Sequence, residues 1–153
     1  MNNHMGRALA AYARTDLETR VEAASPEQLI VMLYEGAISA MYAAKAAFND
    51  GNLAARGAAL SKAIAIVDEG LRGSLNLEAG GEIAQNLFNL YEYISNRLLY
   101  ANLKAHEPSV DEALKLMTDL RQAWEQVSHN TKPDQPTGAV ATDRQTALSY
   151  GRV

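Results

Sequence analysis

From Pro26 onward the apolar residues recur at alternating intervals of three and four, the spacing that lines one face of an α-helix. The first such segment opens at Ser25. Ser at the N-cap, Pro26 behind it and Gln28 three residues on form a capping box with a proline-tolerant first turn. Two adjacent stripes run along it, Leu29, Leu33, Gly36, Ala40 and Ala44, then Ile30, Tyr34, Ala37, Met41 and Phe48. The run "NDGN" at Asn49–Asn52 ends it: Gly51 suits a left-handed turn, and Asn52 caps the next helix. The second helix is predicted from Leu53 to about Leu75, with a seam of Leu53, Gly57, Leu60, Ile64, Val67 and Leu71. "NLEAGGE" then interrupts with two glycines. A third helix follows from about Glu82 to Leu103, with Ile83, Leu87, Leu90, Ile94, Leu98 and Ala101 on its seam. Pro108 and a second capping box, Ser109 to Glu112, open a fourth, whose seam is Val110, Ala113, Met117, Leu120, Trp124 and Val127.

Helices of roughly 20 residues span about 30 Å each. Joined by short polar turns, they predict an all-α fold, an antiparallel four-helix bundle over residues 25–129. No run of alternating β-branched residues predicts a strand. Residues 1–24 read as an arm in which Leu9, Tyr12, Leu17 and Val21 line one face of a short helix. Residues 130–153 hold two prolines and two glycines among small polar residues. Such a stretch buries too little apolar area to offset chain entropy and is predicted to be a disordered tail.

Composition narrows the function. The chain has 153 residues, 48% hydrophobic and 21% charged, with a net charge of -4. It has no cysteine, which excludes disulfides and thiolate metal sites. No basic run marks a nucleic-acid or anionic-membrane footprint. The N-terminus lacks the apolar run of a secretory signal. No window of about 18 uncharged apolar residues predicts a membrane span. A di-iron bundle enzyme needs inward Glu-x-x-His pairs on two helices. The histidines are His4, His106 and His129, in the arm, in a turn and beside Glu125, which makes at best one weak surface site. Asp111 and Glu112 suit a helix N-terminus, and Asp68 and Glu69 suit a solvated face. "EAGGEI" lacks the lysine and spacing of a phosphate loop, and no histidine completes a Ser–His–Asp set. Neither catalysis, nor a metal, nor a cofactor is expected.

What remains is an apolar surplus. A bundle helix needs about three apolar positions in seven, and these helices carry more. One reading is a wide core. The other is a groove that receives a foreign amphipathic helix, for which the candidates are Ile30, Tyr34, Ile66, Phe88, Tyr91 and Tyr93. Small residues such as Gly36, Ala37 and Ala63 would permit close approach of a guest. Each tyrosine is equally well explained at the edge of a core with its hydroxyl in water.

The stretches "ASPEQLIVMLYEGAI", "GNLAARGAALSKAIAIVDEGL", "LNLEAGGEIAQNLFNLYEYISNRLLYANL" and "LMTDLRQAWEQV" together resemble the flagellin-export chaperone family, FliS. The likeness runs in order from about Ala11 to Val127. It is carried by Ser25-Pro26, "GGEIA" at Gly80–Ala84, "LYEY" at Leu90–Tyr93 and Ala123–Trp124 in combination. It implies a cytoplasmic chaperone, monomer or weak homodimer, that holds flagellin's disordered C-terminal segment on an apolar surface. It also implies that premature filament assembly is blocked and that the client is delivered to the cytoplasmic domain of the export gate. Leu9 and Tyr12 match by position the apolar pair of the family's arm, which covers the client surface and assists docking. A self-associating bundle or another flagellar adaptor stands as the alternative, and a competing regulator stays open.

Overall fold

The computed structural model describes residues 17–130. A short helix, α1 (17–23), precedes four longer segments. These are α2 (Pro26–Asp50); α3 (Leu53–Ala65), continued by a π-wound turn (Ile66–Leu71) and a 3-10 turn (Arg72–Ser74); α4 (Leu77–Lys104); and α5 (Glu107–Asn130). α2 packs along α3 and α5, and α4 packs along α3, the π turn and α5. The result is the expected all-α bundle, and no strand occurs among the described residues.

Local chemistry sets the helix ends. The Ser25 hydroxyl accepts from the Gln28 N–H at 3.2 Å, and Gln28 Oε1 accepts from the Ser25 N–H at 2.8 Å. Gly51 closes α2 at φ 65°, and Asn52 Oδ1 then accepts from the Ala55 N–H at 3.0 Å. These caps satisfy backbone groups that a helix terminus leaves without intrahelical partners.

The core runs through Tyr34, Met41, Leu60, Val67, Leu71, Tyr91, Ile94, Leu98, Val110 and Met117, all fully buried. Ala37, Ala40, Ala44 and Ala47 are buried between them, so the small residues of α2 chiefly let its neighbours approach. α2 is long and apolar enough to cross a membrane by length and composition alone. Part of its apolar face goes into the bundle, with Ile30, Val31, Tyr34 and Met41 all in the core.

Four local expectations are corrected. The second helix leaves α geometry at Ile66 and is π-wound to Leu71. The third begins at Leu77, where Asn76 Oδ1 accepts from the Ala79 N–H, and then breaks at Gly81 (φ 55°, ψ -134°) before running on. The fourth begins at Glu107, so Ser109 is no cap. Its hydroxyl is fully buried against the His106 ring and the Arg97 guanidinium, while Glu112 pairs with Arg97 at 2.8 Å. Finally, Leu53 and Ile83, expected on the seams, are 68% and 44% exposed. Leu53 is the first residue of α3, and Ile83 follows the break at Gly81 by two residues.

Candidate functional site

The six groove candidates fall into two classes. Ile30, Tyr34 and Tyr91 lie inside the bundle. Tyr34 on α2 and Tyr91 on α4 meet across the core, their hydroxyls hydrogen-bonded and their ring centroids 6.3 Å apart. Trp124 of α5 also hydrogen-bonds the Tyr34 hydroxyl. Burial, reinforced by Tyr91, pushes the Tyr34 phenol well above the ordinary tyrosine value, so it remains neutral.

Ile66, Phe88 and Tyr93 reach the surface, but on different faces. Ile66 packs over Gly36 on α2, where an added Cβ would lie 3.4 Å from Ile66 Cδ1. Phe88 lies under the Arg72 guanidinium, 5.5 Å from its ring centroid. Tyr93 lies on the opposite edge of α4, 45% exposed, and donates to Glu112 Oε1 at 2.9 Å. That bond raises the Tyr93 phenol above its ordinary value.

The π turn joins the first two of these faces. Its Gly70 rests on Leu33 of α2, where an added Cβ would stand 3.0 Å from Leu33 Cδ2. Its Asp68 accepts from the Ser95 hydroxyl of α4 at 2.5 Å and lies 3.8 Å from Arg72. A strip of apolar and small residues therefore crosses from Leu33 and Gly36 through Ile66 and Gly70 to Phe88.

The largest uncovered apolar side chains are on α4. Of the ten exposed large hydrophobic residues among those described, six belong to it: Leu77, Ile83, Tyr93, Leu99, Tyr100 and Leu103. Leu99 and Leu103 are four apart and share a face, as do Tyr93 and Tyr100, seven apart. The sequence candidates include three on this helix, Phe88, Tyr91 and Tyr93, but not Leu103, which is 71% exposed.

α5 is tied to its neighbours by ion pairs, Lys45–Asp111 at 2.7 Å, Arg97–Glu112 at 2.8 Å and Arg121–Glu35 at 3.3 Å. Hydrogen bonding to Asp111 holds the Lys45 ammonium above its ordinary pKa. Between α1, the start of α2 and the end of α5 lies a cleft of about 480 Å³, bordered by Arg20, Val31, Met32, Glu125 and His129. Leu9, Tyr12 and the predicted tail lie outside the described residues. No group of three or more His, Cys, Asp or Glu suited to a metal ion occurs among the described residues.

The chain is similar to known proteins over most of its length. The family model described as Flagellar protein FliS matches residues 8–131. The flagellar secretion chaperone FliS of Salmonella typhimurium is 46% identical over 120 residues, which cover 78% of this chain and 89% of that protein. The Escherichia coli protein of the same description is 40% identical over 123 residues, 80% of this chain and 90% of its own. The one from Bacillus subtilis is 29% identical over 117 residues, 76% and 86% respectively.

Proposed function

We propose a function from one premise: the chain belongs to the FliS family of flagellar proteins. On this reading it is a cytoplasmic export chaperone. It receives the disordered C-terminal segment of flagellin on its apolar surface, prevents premature polymerisation, and carries the client to the cytoplasmic domain of the flagellar export gate. It acts by binding alone, with no catalytic step and no cofactor.

The observation that carries this reading is the six uncovered large apolar side chains of α4. Exposed apolar surface in excess of scattered single residues marks an interaction site. A segment that is helical and buried in a filament exposes an apolar face while it waits in solution. A surrogate apolar partner covers that face without chemistry. The segment must order as it binds, which costs several kcal/mol of the gross interaction energy and is offset by area. The client surface comprises the outward side chains of α4, Leu99 and Leu103 with Tyr93 and Tyr100, and the strip through Ile66 and Phe88. Ile30, Tyr34 and Tyr91 support it from beneath. Leu9 and Tyr12 of the arm cover the surface before a client arrives and take part in docking at the gate.

Calorimetric titration with flagellin's C-terminal segment tests the reading. A one-to-one complex with a large negative heat-capacity change is expected. Absence of binding at tens of micromolar would reject it. A tight homodimer that persists with the segment present would assign the outward side chains of α4 to self-association instead.

A further inference from the structure

The π turn stands out because the sequence supplies no reason for it. The seam before it, Leu60, Ala63 and Val67, is spaced for an α-helix, and Leu71 continues the spacing. A π turn takes in an extra residue, with bonds from i to i+5. Everything after it is thereby rotated by up to about 100°, one residue's worth of an α-helix. If the same residues were α-wound, Glu69 would move toward the place of Gly70 against Leu33. Gly70 would move toward the place of Leu71 in the core. Beyond the turn, Ser74 would follow Val67 and Leu71 on the inner face by α spacing. In the structure Leu75 packs against the core instead, and the Ser74 hydroxyl turns back to the Gly70 carbonyl at 2.5 Å.

Two contacts hold this winding. Gly70 allows close approach to Leu33: a Cβ would stand 3.0 Å from Leu33 Cδ2, and the leucine methyl would have to give by a few tenths of an ångström. The Ser95 hydroxyl, in a side chain only 7% exposed on α4, fixes Asp68 at the centre of the turn. On either side of these two contacts stand Ile66, over Gly36, and Arg72, over the Phe88 ring. The extra residue thus decides which side chains meet between α2 and α4.

We infer that the π turn is a register-setting element of the client surface, with Asp68, Ser95 and Gly70 as its positioning residues. It keeps the strip from Leu33 to Phe88 low and apolar at Gly70, where an α-wound chain would present Glu69. The inference rests on the proposed client-binding reading and adds to it the residues that shape one face of the surface. These residues act through the backbone path and through Leu33, Arg72 and Phe88, without needing to touch the client.

The test uses the full chain and three variants, Ser95→Ala, Gly70→Ala and Asp68→Asn. Hydrogen exchange across residues 66–72 is measured without client, and affinity for flagellin's C-terminal segment is measured separately. Ser95→Ala should speed exchange across the turn and weaken client binding at least fivefold, with the melting temperature little changed because Asp68 is part-exposed and can be hydrated. Gly70→Ala should also weaken binding at least fivefold, by shifting Leu33. Asp68→Asn keeps an acceptor for Ser95 and should bind within twofold of the parent. If the parent binds and both Ser95→Ala and Gly70→Ala bind within twofold of it, the register inference fails while the client reading stands. If the parent itself does not bind, the client reading has failed, and unchanged exchange across residues 66–72 in Ser95→Ala then overturns the register inference as well.

Discussion

The residues singled out by type and spacing as groove tyrosines divide according to their hydroxyls. Tyr34 and Tyr91 are fully buried because each finds a polar partner inside: each other, and Trp124 for Tyr34. A buried hydroxyl without a partner costs about 1–3 kcal/mol. Tyr34→Phe removes the hydroxyl that bonds Tyr91 and Trp124 across the core. It should lower unfolding free energy by about that amount in urea. The Tyr34→Phe/Tyr91→Phe double variant should lose less than the sum of the two single changes, because both remove the same hydrogen bond. The same burial gives a pH signature. The folded pKa of Tyr34 is raised, so its contribution to stability is fully present below the ordinary tyrosine value of about 10. It is lost as the pH climbs above that value, because the unfolded chain ionises first. Phenolate absorbance in an alkaline titration should show a Tyr34 component that appears only with unfolding, and Tyr34→Phe should abolish it. Helical spacing placed both tyrosines on inward-capable faces, but it carries no information on which hydroxyls meet across a core. That pairing joins helices 57 residues apart in the chain.

At the scale of elements, what was legible in the sequence was what is decided locally. The Ser25–Gln28 box, Gly51 and Asn52 appear in the structure at the positions read from the sequence, since each cap is made by residues within four of one another. The second box failed although its pattern was as good. Ser109 follows a turn in which Ala105 takes φ 51°, and its hydroxyl is engaged by Arg97 and His106, so α5 starts two residues earlier. The π turn was invisible because its causes, Leu33 and Ser95, lie on other helices. Gly81 shows the intermediate case. The pair of glycines announced a break, while its form, one residue at φ 55° and ψ -134° inside an otherwise continuous helix, depends on how the first turn of α4 sits. No atom lies within 4 Å of where a Gly81 Cβ would be, so Gly81→Ala meets backbone strain and no clash. The expected cost is about 1–3 kcal/mol, read as a lower denaturant midpoint with unchanged slope. Gly57→Ala, at ordinary helical φ with its nearest neighbour 3.9 Å away, is the control and should be neutral or slightly stabilising.

For the molecule as a whole, the question is where the apolar surplus ends up. The sequence spreads it over the first three helices, yet the structure draws much of the first into the core and leaves α4 the least covered. A helix with two flanking neighbours, α3 and α5, and a mixed composition still presents two outward rows when its apolar residues exceed one stripe. Stability and binding are therefore separable on α4 as they are not on α2. Leu99 and Leu103 are 48% and 71% exposed, so replacing both with Ser removes less buried area than replacing one core leucine and should lower the melting temperature by less than a core truncation such as Leu98→Ala. If the outward side chains of α4 meet the client, the same double variant should weaken binding to flagellin's C-terminal segment about tenfold or more, since each leucine then loses contact area in the complex worth on the order of 1 kcal/mol. Met41→Ala on α2 should do the reverse, with a cost of about 2–5 kcal/mol in stability and affinity unchanged at temperatures where the variant is folded. Calorimetry beside thermal melts reads both quantities from the same samples. A Leu99/Leu103 variant that melts early and binds normally would place those side chains in the structural economy of the bundle, and would move the client to another face.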